Sequence, residues 1–159
     1  MLKRSMPLCF VRVIVNWYSK LKACVRWKSA VSNLFEVKSG VRQGGILSPL
    51  LFNVYINCII VKLRNTGLGC WIKSTYLGCI VYADDILLLS SSCIELQKML
   101  NICNESGCLL GIAFNAAKCK CIQIGPNLMQ HKECLRIGNN IFNRCDAVIY
   151  LVVTIRSHK

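Results

Sequence analysis

Two apolar, β-prone runs, Tyr76 to Tyr82 and Ile86 to Leu89, are separated only by Ala83-Asp84-Asp85. Runs this close together fold back on each other, so the spacing predicts a tight antiparallel hairpin with an acidic tip. The tip breaks a local rule, because the tightest turns need positive φ and favour Asn-Gly or Asp-Gly. Adjacent carboxylates between buried strands also repel one another unless a cation or water reaches them. A broken rule in an otherwise consistent hairpin points to a functional tip, and two carboxylates suit a hard Mg²⁺ ion that completes its octahedron with water and phosphates. A solvated turn is the other reading of the same residues, and the hairpin alone leaves both open.

The surrounding sequence alternates helical and extended patterns. Pro7 suits a first helical turn, and Val11, Ile14, Val15, Tyr18 and Leu21 follow at i, i+3, i+4 spacing, which predicts an amphipathic helix over 8–21. Between Ala23 and Val37, short extended runs flank a Ser-Asn turn and predict a hairpin feeding Gly40. Ser48-Pro49 is a helix-start signal: the serine oxygen can cap free N–H groups while proline takes the first position at no hydrogen-bond cost. That helix is expected over about 49–63. Ser92-x-x-Glu95 reads as a capping box opening a helix that ends near Gly111. Cys119 to Ile124, Leu135 to Ile137 and Val148 to Ile155 read as short strands. The order is mixed α+β, and with no repeat, low-complexity tract or linker the chain reads as one domain.

Lys and Arg number 20 against 7 acids, a net charge of +13, which favours a polyanionic partner because each neutralised phosphate releases counterions. Nucleic acid leads, since Lys3, Arg4, Arg12, Lys20, Lys22, Arg26 and Lys28 all precede Glu36, the first acid; taken alone, such a run also suits a solvated or membrane-surface face. A 54% hydrophobic composition excludes disorder and leaves more apolar surface than one domain can hide. Gln43 to Val61 lacks charge, yet Ser48, Pro49, Asn53 and Asn57 fit a buried helix better than a membrane span. The 12 cysteines follow no secretory leader, so reduced intracellular thiols without a disulfide partner are expected. Zinc is weakly signalled by Cys119, Cys121, His131 and Cys134, with no Cys-x-x-Cys pair.

A second constellation, Gly40-Val41-Arg42-Gln43-Gly44-Gly45, precedes the Ser48-Pro49 helix start. Glycines there let backbone approach a ligand, the helix N-terminus favours an anion, and Arg42 can add a bidentate phosphate contact. A plain connector fits the same glycines. The two constellations together are more specific than either. Gly-Val-Arg-Gln-Gly, then Ile-Leu-Ser-Pro-Leu-Leu-Phe-Asn at 46–53, then Tyr-Ala-Asp-Asp at 82–85, resembles the reverse transcriptases of non-LTR (LINE-type) retrotransposons. The likeness runs in order over roughly residues 5–125. Gly111-Ile-Ala-Phe-Asn115 with Lys118 is similar to the next motif of that family, and Tyr150-Leu151 to the one that starts the turn towards the thumb; Val152 stands where the family usually has glycine.

The resemblance implies an α+β fold, a partial right-hand polymerase palm in which an antiparallel sheet with the Asp84-Asp85 hairpin is backed by the two helices. It implies one truncated domain over 1–159, with palm motifs in 1–125 and the start of the palm-to-thumb region in 126–159. The activity implied is RNA-directed DNA polymerisation using two Mg²⁺ (or Mn²⁺) ions, an RNA template, a DNA primer and deoxynucleoside triphosphates. By the same resemblance Asp84 is the metal-binding aspartate and Asp85 its supporting neighbour, and Tyr82 lies against the primer end. Gln43 and Gly44, with Arg42 beside them, touch the nascent base pair and incoming nucleotide, and Lys118 protonates the departing pyrophosphate. The family needs a further aspartate well upstream of the Arg-Gln-Gly loop, yet Glu36 is the only acid before Gly40. The basic fingers segment that grips the triphosphate is absent as well. The isolated chain is therefore expected to be inactive; a non-catalytic, basic nucleic-acid-binding remnant is the alternative.

Overall fold

The computed structural model describes residues 6–125, 134–142 and 144–157. They belong to two compact units, Met1–Val54 and Tyr55–Lys159.

In the first unit, α1 (Leu8–Tyr18) opens with the Phe10 and Val11 N–H groups donating to the Pro7 carbonyl, as a proline at a helix start allows. It stops three residues short of the expected end, where Lys20 and Leu21 N–H groups fall back on the carbonyls of Trp17 and Tyr18 in tight turns. Ile14 is its one buried residue. Four two-residue strands follow: β1 (Lys22–Ala23), β2 (Arg26–Trp27), β3 (Ala30–Val31) and β4 (Phe35–Glu36). They nest as one interrupted hairpin, β2 against β3 inside β1 against β4. Its tip is Lys28-Ser29, with Lys28 at φ +54°, rather than the expected Ser32-Asn33. The reason is local: the Ser32 hydroxyl accepts the Val25 N–H and donates to the Asn33 carbonyl, which ties the ladder's interruption instead of its end.

Helix α2 (Ser48–Asn65) matches the Ser-Pro start signal. In the second unit it buries Ile56, Ile59 and Leu63, a stripe one helical turn apart. Four strands come next: β5 (Trp71–Ile72), β6 (Thr75–Tyr76), β7 (Cys79–Tyr82) and β8 (Asp85–Leu88). Then α3 (Cys93–Leu109) begins with half of the expected capping box: the Ser92 hydroxyl accepts the Glu95 N–H at 3.4 Å, but Ser90 stands between the other two partners, its hydroxyl accepting the Ser92 N–H at 3.3 Å and donating to the Glu95 carboxylate at 3.0 Å. Ile59 and Leu63 meet Met99 and Cys103 of α3 in a buried cluster, against which Tyr76, Cys79 and Leu88 pack. Each such side chain contributes roughly 1.5–3 kcal/mol of burial.

Helix α3 also supports the chain's last segments. β9 (Leu135–Ile137) and β10 (Asn140–Phe142) form a hairpin that joins Leu100 in a second cluster of Leu100, Leu135, Ile137 and Phe142. The Gln97 amide fixes its register by bonding both backbone groups of Arg136 at 2.9 Å. The expected strand at Val148–Ile155 is instead a hairpin of β11 (Ala147–Tyr150) and β12 (Val153–Arg156). Its turn, Leu151-Val152, carries positive φ at both residues, +48° and +69°. Cys119–Ile124 forms no strand beyond one bridge from Cys121 to Arg144.

The chain is thus mixed α+β, as expected, but the described strands form six separate two-stranded ladders where a continuous antiparallel sheet was anticipated. All six are two to four residues long and each of their strands has one partner, so none passes its pairing on to a third. Among the described residues no helix is long and apolar enough to cross a membrane.

Candidate functional site

The hairpin of β7 and β8 carries three of the residues singled out by sequence. The register pairs Cys79 with Leu88, Ile80 with Leu87, Val81 with Ile86 and Tyr82 with Asp85. Strand alternation then sends Cys79, Val81, Ile86 and Leu88 to one face and Ile80, Tyr82, Asp85 and Leu87 to the other. Cys79 and Leu88 anchor the first face on the Ile59–Met99 cluster. Tyr82 stays 63% exposed, directly across from Asp85.

The two-residue turn is Ala83-Asp84, so Asp85 opens β8 rather than belonging to the tip. Ala83 takes the positive φ, +50°, that such a turn demands of its first central residue. Asp84 projects from the turn and Asp85 from the adjoining strand; both are exposed. Neither carboxylate is neutralised by a cation: among the described residues the ion pair present is Lys62 with Glu105, at 3.8 Å. Two exposed hard oxygen donors side by side suit a divalent ion, but no third His, Cys, Asp or Glu joins them among the described residues.

The base of the hairpin is held neutral. Burial pushes the Cys79 thiol up to about 11, and burial with the nearby Cys79 pushes Cys103 up to about 12. Tyr76, whose hydroxyl is enclosed without a hydrogen-bond partner among the described residues, rises to about 12 through burial and then Cys79, Cys103 and Cys70. Backbone bonds stitch the same end together: Leu89 donates to Gly78, and Cys70 donates to Leu89. Gly69, at φ +94°, makes this possible, since a Cβ there would sit 2.9 Å from both the Gly78 Cα and the Leu89 carbonyl oxygen.

Tyr150 is a neighbour that sequence spacing did not connect to the hairpin. Its phenol is raised by burial first, and then by the charges of Asp85 and Cys79. Its hydroxyl is enclosed and has no hydrogen-bond partner among the described residues. A neutral O–H donor therefore stands within electrostatic reach of Asp85, placed there by β11. Nothing in the sequence between residues 85 and 150 announces this proximity.

Arg42, Gln43 and Gly44 share one turn in the first unit. The Arg42 carbonyl accepts the Gly45 N–H at 3.0 Å, closing a β-turn whose third position is Gly44 at φ +75°. Ser48 was expected to cap α2 by accepting N–H groups; instead its hydroxyl donates to the same Arg42 carbonyl at 2.5 Å, and Leu47 receives the first helical bond, from Leu51. With Leu47 accepting the first helical bond, Ser48 lies inside the first turn rather than at the cap position, which frees its hydroxyl to bond back to the Arg42 carbonyl. The side chains of Arg42 and Gln43 are exposed. Lys118 is exposed on a turn set by Asn115, whose carbonyl accepts the Lys118 N–H at 3.0 Å and whose side chain accepts Ala117. No ion pair joins Lys118 to Asp84 or Asp85 among the described residues. Of the weak zinc pattern, His131 lies outside the described residues, and no metal-ligating group of three occurs within them.

Comparison with known proteins gives a consistent answer. The family model for "Reverse transcriptase (RNA-dependent DNA polymerase)" matches residues 3–155. The Pol polyprotein of a type-1 retrotransposable element R2 from Popillia japonica is 32% identical over 108 residues, 65% of this chain and 15% of that polyprotein. Its counterpart from Nasonia vitripennis is 28% identical over 131 residues, 82% of the chain and 13% of the relative. The type-2 element R2DM polyprotein from Drosophila melanogaster is 27% identical over 113 residues, 71% of the chain and 11% of the relative. The matched stretch is thus at most 15% of each of these relatives.

Proposed function

The chain belongs to the reverse transcriptase (RNA-dependent DNA polymerase) family, and from that premise we propose that it contributes half of a two-metal nucleotidyl-transfer site to RNA-templated DNA synthesis. What supports this is the hairpin tip: Asp84 on the turn, Asp85 facing Tyr82, and no cation paired with either carboxylate among the described residues. Asp84 and Asp85 would hold Mg²⁺ or Mn²⁺, leaving most of the coordination sphere to water and substrate phosphates. The bound ions would stabilise charge on the transferring phosphoryl group. Tyr82 supports the primer end from the same face as Asp85, while Arg42 and the Gln43-Gly44 turn contact the nascent base pair and incoming nucleotide. Lys118 protonates the departing pyrophosphate. Template RNA, DNA primer and deoxynucleoside triphosphates are the partners, inside the cell. The unit of function is one incomplete domain, with palm motifs in 1–125 and the thumb-ward turn in 126–159.

Two carboxylates do not fix two metals at the spacing in-line transfer requires. Residues 1–159 alone should therefore show no templated incorporation in a primer-extension assay on RNA. The same residues preceded by a palm strand bearing an aspartate should extend the primer, and Asp84→Ala should abolish that extension. Asp84-dependent synthesis by 1–159 alone would overturn the incompleteness; Mn²⁺ that leaves residues 82–86 unbroadened in an NMR spectrum would sink the metal assignment. The charge of +13 favours a second reading, a basic remnant that binds RNA without catalysis. It is distinguished by salt-sensitive RNA affinity combined with indifference to Mn²⁺ and to Asp84→Ala.

A further inference from the structure

The second unit contains a polar thiol cluster unrelated to the acidic hairpin. Arg144 reaches across to the start of α3, where its Nη2 donates to the Cys93 sulfur at 2.9 Å; its Nη1 donates to the Gln123 side chain. Cys121 is the bridge partner of Arg144, so the two side chains leave the backbone on the same side. Next to it, Cys145 donates its N–H to the Cys121 carbonyl at 2.8 Å and its thiol to the same oxygen at 3.5 Å. The Cys121 thiol is raised on balance, by burial first; Arg144 pulls it back, while Cys93 and Cys145 push it further up. All three cysteines are reduced and partly accessible.

One donor in this cluster has nothing to bind. Arg144 Nε is enclosed and without a hydrogen-bond partner among the described residues. An enclosed guanidinium donor left unpaired costs roughly 1–3 kcal/mol or more. An oxygen atom carried on the Cys93 sulfur would supply the missing acceptor.

We propose that Cys93, bonded to Arg144 whose bridge partner is Cys121, is a thiol-oxidation site that takes hydrogen peroxide and closes to a Cys93–Cys121 disulfide. The Cys93 sulfur, having lost its proton to solvent, attacks one peroxide oxygen. The S–O bond forms, the O–O bond breaks, and the other oxygen leaves as water after protonation. Sulfur is oxidised by two electrons and the peroxide is reduced by two. The Cys121 thiol then attacks the sulfenic sulfur; the S–S bond forms, the S–O bond breaks and a second water leaves. The guanidinium stabilises the attacking sulfur and then the sulfenic oxygen by charge-assisted hydrogen bonds. The disulfide would tie the start of α3 to the segment after Lys118. Cys103 provides the contrast to Cys93: it is buried in an apolar cluster and its thiol is pushed up to about 12.

The test uses the reduced 159-residue chain and hydrogen peroxide, read by tandem mass spectrometry with dimedone as sulfenic trap. Cys93 should oxidise faster than the exposed Cys58 and Cys108, and a Cys93–Cys121 disulfide should accumulate. Cys121→Ser should arrest the reaction at a dimedone-trapped Cys93. Arg144→Gln, checked for folding by circular dichroism, should slow Cys93 oxidation on the order of tenfold, the kinetic equivalent of one charge-assisted hydrogen bond. Oxidation of Cys93 no faster than Cys58, an unchanged rate in Arg144→Gln, or a disulfide formed with any cysteine other than Cys121 would each overturn the proposal. None of these readings depends on polymerase activity.

Discussion

The two units hold their candidate site residues in opposite ways. In Met1–Val54, Ile14 and Ser48 are the buried described residues, and Trp17, Trp27, Leu34 and Phe35 are exposed. The Arg42-Gln43-Gly44 turn is accordingly set by its own backbone bonds and by Ser48. In Tyr55–Lys159 the acidic hairpin instead stands on two buried clusters shared by α2, α3 and the β9–β10 hairpin. The lesson is that the loop's geometry is locally encoded, whereas the hairpin's position is borrowed from residues tens of positions away. The first should tolerate loss of apolar side chains and fail on a change of backbone preference; the second should do the reverse.

The largest expected effect is therefore in the second unit. Met99→Ala, at a fully buried position, should cost about 2–5 kcal/mol in urea unfolding, while Leu34→Ala, at a 69% exposed one, should stay within about 0.5 kcal/mol. Equal costs would erase the contrast between the units.

Alkaline pH should also act on the second unit. Cys79, Cys103 and Tyr76 keep their protons in the fold up to about 11, 12 and 12, against ordinary values of 9.0, 9.0 and 10.0. Between those limits the unfolded chain binds fewer protons than the native one, so stability falls as pH rises. It is fully present below about pH 9 and lost through the folded values, and Cys103→Val should flatten that slope. Unfolding free energies that stay level from pH 9 to 11 would contradict this.

Gly44→Ala should cost about 1–2 kcal/mol, or loosen the turn equivalently, through backbone strain alone, because nothing lies within 4 Å of the added carbon. Hydrogen exchange at Gly45 and Ser48 N–H reports it, and unchanged protection would show that the loop is not locally encoded.

The smallest effect is a gain. Val152 is 95% exposed and sits at φ +69°, a conformation costly for a β-branched residue, so Val152→Gly should stabilise the β11–β12 hairpin by roughly 1 kcal/mol. Destabilisation would mean that the turn is not under strain.

The Val152 position also shows how far the sequence reached. Its departure from the family's usual glycine was visible in the string of letters, but the cost of that departure became clear only with its φ. The Ser92 cap on Glu95, the Ser48-Pro49 helix start and the acidic hairpin were all legible, because each depends on residues within a few positions of one another. The Lys28-Ser29 tip, the Ser48 bond to Arg42, the hairpin hidden in 148–155 and the separate two-stranded ladders of the described residues were not, since each reflects competition between local bonds of similar strength. The influence of Asp85 on Tyr150 and the bond from Arg144 to Cys93 were further out of reach, as interactions spanning 65 and 51 positions leave no periodicity to read.

By itself, the sequence determined the family, the order of helices and hairpins, and the identity of the acidic tip, since propensity, capping and turn chemistry act over one or two turns of chain. The tertiary structure decided which face of the hairpin is anchored, which thiols are sealed and which face a cation, and which hydroxyl stands near Asp85. Burial and Coulomb interactions depend on distance in space, and only the packing of α2 and α3 with the hairpins sets those distances.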